Sequence, residues 1–555
     1  MYKKSIAVVL AGCLGLGLFS FKDADSERYF EIAKNLDVFA TLFKEVNTFY
    51  VDDVPPAQLM RTGIDAMLKS LDPYTNYIPE DDIEDFRTMT TGQYGGIGAV
   101  IGNRDGKIVV QMPYENSPAY KAGLAIGDEI LKINGVTVTN KSTEEVSALL
   151  KGQANSPVKL EVRSYGQTKS KTVELKRSNI TVDNVPYYGM LDKEIGYFQL
   201  SGFTMDASKE VKMAVQKLKE QGATKIIFDL RDNPGGLLHE AVNISNIFID
   251  RGKDIVSTKG KVTEWNKTYT ALDEPLDKTI PLVILTSSHS ASAAEIVAGV
   301  MQDYDRAVLV GERTFGKGLV QATRPLSYNS QLKVTTAKYY IPSGRCIQAI
   351  DYTHRNADGS AGKIADSLRV AFKTAAGRVV YDGGGVSPDV EVKEPSYSEI
   401  TRTIALKGYL FDYANKYKLE HPSIPPASKF KLPDDEYQKF MTYLGSKDLS
   451  YTTDIERELD DLSKEAKEGK HFDDIKADIE DIKKKVSHNK ANDLIRFKPE
   501  IKEVLEAEIA SRYYLQKGYI EATFDDDPDI LAARQVLNDP QRYASYLKVH
   551  KAEGK

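Results

Sequence analysis

Residues 281–303 read PLVILTSSHSASAAEIVAGVMQD. The run VILT has the composition of a buried strand, and SAAEIVAGVMQ has helix-forming character, so the strand ends and a helix begins around Ser292. The same alternation recurs on both sides of it: IGYFQLSGF (195–203), ASKEVKMAVQKLKEQG (207–222), KIIFDLRDNPGG (225–236), LLHEAVNISNIFI (237–249) and AVLVGE (307–312). Apolar strands followed by amphipathic helices predict a layered α/β domain with a largely parallel sheet. Such sheets place ligand sites at the C-terminal ends of their strands. Two polar stretches fall at such ends, DLRDNPGG and SSHSASAAE.

Outward from this core the sequence changes character twice. Upstream, GQYGGIGAVIG (92–102), GKIVVQMP (106–113), DEILKINGVTV (128–138) and SPVKLEVRS (156–164) are short β-branched runs bounded by Gly, Pro and Asn. Among them STEEVSALLKG (142–152) begins with the helix-capping candidates Ser142 and Thr143. Before this strand-rich module, apolar residues at helical spacing over residues 30–89 predict a small helical lead-in, broken by VDDVPP and closed by the turn chemistry of LDPYTNYIPEDD (71–82). Downstream of Pro395 the chain is charged and helical, as in DIERELDDLSKEAKEGKHFDDIKADIEDIKKK (454–485), which reads as solvated helix faces without catalytic content. A chain of 555 residues supports such a multidomain organisation.

The N-terminus places Lys3 and Lys4 before an apolar run from Ile6 to Phe19, the layout of a secretory signal and shorter than the ~20 residues of a membrane span. Export is expected, to the periplasm of a Gram-negative bacterium, with membrane anchoring through this segment as the alternative. LAGC ending at Cys13 resembles a lipobox, but the apolar run continues past it, so an unmodified mature end is expected. Cys13 and Cys346 are the two cysteines, which excludes a cysteine metal cage, and no disulfide remains within the mature chain. Cys346 reads as a half-buried, unreactive thiol. A net charge of -6 argues against nucleic acid as a partner.

Ser292, where strand gives way to helix, has a hydroxyl facing unpaired N–H groups and the positive end of a helix dipole, which favours an oxyanion. The competing reading is a helix cap. A nucleophilic serine needs a base. His289 is three residues away, too close to align readily with the hydroxyl. Lys317, in GERTFGKGLVQ (311–321), lies one helix and one strand later, about the span that returns the chain to the same end of the sheet. Its flanking glycines let backbone crowd the amine and favour the neutral form, and Gln321 offers an amide that orients the amine without adding charge. An ordinary surface lysine in a glycine turn is the alternative.

Taken together, TSSHSASAAEIVAG and ERTFGKGLVQ resemble the tail-specific, or C-terminal processing, peptidases. Supporting stretches follow in the family's order over roughly residues 35–392: LDPYTNYI, YGGIGAVIG, SPAYKAGLAIGDEILKING, FDLRDNPGG, YYIPSGRCIQ and DGGGVSPDV. The resemblance implies a crotonase-like protease core (179–395), a PDZ domain (91–178), an N-terminal helical region (26–90) after a signal peptide (1–21), and a C-terminal charged helical domain (396–555). It assigns Ser292 as nucleophile, Lys317 as general base and Gln321 as the residue positioning the lysine. The backbone amides of Gly235, Gly236 and Ala293 fall where the family forms its oxyanion hole, and Glu295 and Asp303 are given support rather than chemistry. In the PDZ domain, Gly95, Gly96, Ile97 and Gly98 are placed to bind a peptide carboxylate. The implied enzyme is a serine endopeptidase acting on protein or peptide substrates with a free C-terminus, without metal or organic cofactor. The rival readings are a non-catalytic PDZ scaffold and a Ser–His–Asp hydrolase using His289, His239 or His354. Residues 351–381 look like an insertion that covers or shapes the cleft, and the helical regions are candidate surfaces for an adaptor or for self-association.

Overall fold

The computed structural model describes residues 23–393, 396–490 and 492–549, so the signal segment and Cys13 lie outside the described residues. The chain divides into two compact units, residues 1–80 with 321–335, and residues 81–320 with 336–555.

In the first unit the helices Asp23–Phe49 and Pro56–Lys69 lead to the strand Asn76–Ile78. Pro56 sits at the start of the second helix, where a missing N–H costs nothing. The strand pairs antiparallel with residues 331–333 of the hairpin that completes the unit. Between helix and strand, Asp72 Oδ1 accepts from the amides of Tyr74 and Thr75, both at 2.8 Å, which is the Asx turn that LDPYT predicts.

The second unit opens with a five-strand antiparallel path, Ala99–Arg104, Lys107–Pro113, Glu129–Ile133, Pro157–Arg163 and Lys171–Lys176, the first of these forming one edge. Helix Thr143–Leu150 packs on it with Ser142 as N-cap in a full capping box with Glu145. Ile97, Ile108, Val110, Ile130, Val146 and Leu160 fill the core between them. The strands Gln93–Gly96 and Ser178–Thr181 pair antiparallel and bring the module's two ends together.

The mostly parallel sheet runs in the order Tyr187–Met190, Ile195–Gln199, Lys225–Asp229, Leu282–Thr286, Val308–Gly311 and Val390–Glu391. Its first pair is antiparallel and the rest are parallel. The apolar runs are continuous because both faces are covered. Ile226, Phe228, Leu282, Ile284 and Leu309 join one cluster with Val211 and Val215 of the helix Ala207–Glu220, Ile244 of the helix Leu238–Asn246, and Ile296 and Val300 of the helix Ala293–Asp303. Their neighbours Ile227, Val283, Leu285, Val308 and Val310 face the other way, onto Phe524, Ile530, Ala533, Val536 and Leu537.

That second cover is the end of the helical region. Helices Asp454–Glu468 and Phe472–Lys490 are the charged pair that the sequence predicts as solvated. Helix Pro528–Asn538, however, is a structural wall of the core sheet, a role its mixed sequence does not announce. Arg231 fastens it: its guanidinium reaches Asp527 and Asp529 at 3.0 Å each and Asp229 at 2.7 Å. Residues 351–381 contain two short hairpins, Ile350–Arg355 with Ala361–Lys363 and Ala371–Lys373 with Val379–Tyr381.

Phe524 is 6% exposed and stacks edge-on against Tyr187 and Tyr197. Its replacement by Ala is expected to cost about 3–5 kcal/mol, read as a lower urea midpoint for the core transition. A midpoint within ~1 kcal/mol of wild type would contradict the covering role.

Candidate active site

Three loops leave the parallel strands at the same end of the sheet, after Asp229, Thr286 and Gly311. They are cross-tied by buried polar groups. Asn233, fully buried, donates from Nδ2 to Leu200 O at 2.6 Å, and its own carbonyl accepts from Ala291 N at 2.9 Å. Ser290, also fully buried, donates to Leu230 O at 2.7 Å and accepts from Ser287 N at 2.9 Å.

These bonds sort the four serines. Ser290 is a structural tie between two loops, and Ser287 Oγ is engaged with Asp232 at 3.1 Å. Ser288 is exposed, and its amide donates to Glu312. Ser292 is half-buried at the head of the helix Ala293–Asp303, with φ 54° and ψ -112°. A cap residue ordinarily sits in the extended region. Ser292 occupies a conformation that costs a non-glycine residue of order 1–3 kcal/mol and persists only where its surroundings enforce it.

Two buried side chains provide that enforcement. Tyr339, 1% exposed, donates its hydroxyl to Ser292 O at 3.1 Å. Glu295, 0% exposed, accepts from Ser292 N at 2.8 Å. The same carboxylate accepts from Thr314 Oγ1 at 2.5 Å, Gly316 N at 2.7 Å and Lys317 N at 2.8 Å. The amides of Ser292 and Lys317 meet on one oxygen, Oε2, so the two nitrogens lie no further apart than twice 2.8 Å. Lys317 is half-buried. Gly316 has φ 88°, and a Cβ there would come within 2.3 Å of Ala349 Cβ, while one on Gly318 would come within 2.8 Å of Gln348 N. Glycine is required on both sides of the lysine because backbone closes around it.

The Pro-Gly-Gly loop lies against the same point. A Cβ on Gly235, φ 93°, would stand 2.8 Å from both Ser292 Cβ and Ala293 N. The Gly235 amide donates to Asn233 Oδ1 at 2.8 Å, so an oxyanion would compete with Asn233 for it. Among the described residues the amides of Gly236 and Ala293 donate to no other group. The second unit thus gathers Ser292, Lys317, Gly235, Gly236 and Ala293. Gln321 belongs to the first unit, where its Nε2 donates to Thr335 Oγ1 at 3.1 Å and Thr335 N donates to Thr75 Oγ1 at 3.2 Å. Thr75 Oγ1 donates in turn to Asp72 Oδ2 at 3.1 Å.

None of the three candidate histidines has a hydrogen bond to Ser292 among the described residues. His289 is 71% exposed and faces Asp232 at 3.4 Å, and His239 and His354 are exposed beside Glu240 and Asp351. Burial pushes the Cys346 thiol up, in keeping with an unreactive residue. Asp303 is buried against Arg345 at 2.9 Å and accepts from Ser343 N, tying the helix Ala293–Asp303 to the PSGR segment. No cluster of His, Cys, Asp or Glu suited to a metal exists among the described residues.

In the strand-rich module Gly95 and Gly96 close the strand Gln93–Gly96, Ile97 is 2% exposed, and Gly98 has φ 74°. A Cβ on Gly95 would collide with Gly152 O at 2.1 Å, and one on Gly98 with Ser117 Cβ at 2.4 Å. The amides of Ile97 and Gly98 donate to no other group among the described residues. Beside them a cavity of about 120 Å³ opens between the strand Ala99–Arg104 and the helix Thr143–Leu150.

Comparison with known proteins matches the model of peptidase family S41 over residues 194–354, that of a PDZ domain over 109–164, and that of a probable PDZ-protease C-terminal helical domain over 400–537. A carboxy-terminal-processing protease of Bartonella bacilliformis is 36% identical over 324 residues, 58% of this chain and 74% of that protein. A probable CtpA-like serine protease of Staphylococcus aureus is 33% identical over 425 residues, 76% of this chain and 73% of that protein. Among solved structures, the photosystem II D1 C-terminal processing protease is 28% identical, covering 64% of this chain and 92% of its own, with a TM-score of 0.34. A PDZ domain of a carboxy-terminal protease from Vibrio cholerae, solved with a peptide, is 31% identical over 16% of this chain and 99% of its own, with a TM-score of 0.16.

Burial pushes the Glu295 carboxyl up to about 7 from its ordinary 4.5, against the downward pull of its hydrogen bonds. Between those values the folded state holds a proton that the unfolded chain has released, so stability declines as pH rises through that window and levels above it. Glu295→Gln does not titrate. The wild-type unfolding free energy minus that of the variant, from urea curves, should therefore fall between pH 4.5 and about 7. A flat difference would mean that Glu295 is ionised throughout.

Proposed function

The chain belongs to the carboxy-terminal-processing serine proteases of peptidase family S41, and from that premise we propose that Ser292 and Lys317 form its catalytic dyad. The observation that supports this most is the shared Glu295 oxygen, which ties the backbone of the serine to that of the lysine. In this reading Lys317, in its neutral form, takes the Ser292 proton as Oγ attacks the scissile carbonyl. The tetrahedral oxyanion is held by the amides of Gly236 and Ala293, and by that of Gly235 if it leaves Asn233. The ammonium of Lys317 then protonates the leaving amine, an acyl-enzyme remains on Ser292, and Lys317 activates the water that hydrolyses it. No step calls on a metal or an organic cofactor.

The finer assignments belong to the same proposal. The parallel sheet with its three loops at one end suits a crotonase-like core. The glycine loop Gly95–Gly98, with the amides of Ile97 and Gly98 available, suits capture of a substrate's terminal carboxylate beside an edge strand. The signal-like N-terminus supports action on exported proteins in the periplasm.

Cleavage of an unfolded model protein, with and without an apolar C-terminal tail, tests the reading. Wild type is expected to cut the tailed protein faster, and Ser292→Ala and Lys317→Ala to lose at least ~10³-fold while remaining folded. Lys317→Arg should fail as well, because a guanidinium stays protonated. Residual activity in either alanine variant within tenfold of wild type would overturn the dyad. An inert wild type that still bound the tail would favour a scaffold.

A further inference from the structure

The cavity beside the glycine loop is lined by Tyr94, Ile97, Ala99, Ile101, Leu150 and Lys151, with Gly96 and Ser147 completing it. At about 120 Å³ it is comparable to the ~150 Å³ that accommodates one benzene ring. It suits one apolar terminal side chain. Lys151 is the one charged residue in its lining.

Lys151 follows the last residue of the helix Thr143–Leu150, and its position is fixed by the loop itself. Gly152 N donates to Gly95 O at 3.0 Å, and the two backbones approach too closely for any Cβ on Gly95. A second cation, Arg177, stands nearby but is committed. Its guanidinium donates to Leu149 O, Leu150 O, Pro157 O and Ser156 Oγ, and the residue is 8% exposed. Lys151 Nζ instead meets Asp85 Oδ1 at 2.7 Å, with the two side chains 38% and 70% exposed. Asp85 comes from the helix Ile83–Thr91 that precedes the module. An ion pair so exposed is worth ~0–1 kcal/mol, little enough for another carboxylate to replace it.

We propose that Lys151 reads the negative charge of the substrate's C-terminus, and that Asp85 is its resting counter-ion, displaced when a peptide carboxylate enters the glycine loop. The inference rests on the tail-recognition reading above and adds to it the residue that distinguishes a free carboxylate from a blocked end. Amides of the glycine loop supply directional hydrogen bonds, Lys151 supplies charge, and the cavity takes the apolar side chain. Asp85 competes for the same ammonium, so it lowers affinity for every tail until a carboxylate with a fitting side chain displaces it.

The test measures binding of two fluorescent decapeptides, identical and apolar-ended, one with a free carboxylate and one amidated, to the full chain carrying Ser292→Ala. That background is expected to prefer the free carboxylate. Adding Lys151→Met should weaken the carboxylate peptide about three- to tenfold and leave the amide unchanged. Adding Asp85→Asn should tighten the carboxylate peptide about two- to fivefold. The double variant should behave as Lys151→Met alone, because Asp85 acts through the lysine. A carboxylate preference that neither substitution alters would overturn the role of Lys151 while leaving tail recognition standing. Binding of neither peptide, or of both equally, would overturn tail recognition and this inference with it. Asp85 is exposed and Lys151 half-buried, and circular dichroism of the variants separates a binding loss from misfolding.

Discussion

The carboxylate of Glu295 is the point on which the spacing of Ser292 and Lys317 hangs. A parallel sheet delivers its loops to one end, but it does not fix their mutual spacing. Here a single buried group accepts from the head of one helix and from three groups of a loop beyond the next strand. Burial alone would drive such a carboxyl to hold its proton, and the four donors oppose that. The balance leaves it near neutrality, and its loss would leave three backbone amides and a hydroxyl without an acceptor in a dry site. Such unmet donors are costly, which makes the spacing stiff.

The strained backbone of Ser292 follows from the same constraint. Its amide is drawn to Glu295 and its carbonyl to Tyr339, so the peptide units on both sides are held while the side chain is left to the chemistry. Asn233 does the corresponding work for the Pro-Gly-Gly loop, bonding across to Leu200 and Ala291. The amides proposed to hold the oxyanion are therefore positioned by side chains other than Ser292 and Lys317. Arg231, next to that loop, ties it further to Asp527 and Asp529 at the start of the helix Pro528–Asn538.

What was legible in the sequence was local. The strand-to-helix switch at Ser292, the Gly-Lys-Gly of the third loop and the capping box at Ser142 each declare themselves within a few residues, because their physical cause lies in neighbouring atoms. Glu295 was visible only as a helix-borne acid, since its partners are 19 to 22 residues away across a strand, apart from Ser292. Tyr339 and Asn233 carried no signal beyond an aromatic in a strand and an asparagine before proline. The role of the last helix was hidden for a similar reason. Its apolar residues look like those of any amphipathic helix, and nothing local says which sheet they will cover.

The two ends of the proposed reaction path are built on opposite principles. Around Ser292 the ties converge on the buried side chains of Glu295, Tyr339 and Asn233, as a site that must hold a reacting atom within a fraction of an ångström requires. Around Lys151 the tie to Asp85 is exposed and weak, and the partner is of the same chemical kind as the expected ligand. A group meant to exchange partners gains nothing from burial, because a desolvated pair would hold its counter-ion against any newcomer. In the proposed reading, recognition of a tail falls to a solvated charge beside the glycine loop, and bond cleavage to a centre braced by buried groups. The fold separates them by giving each its own sheet.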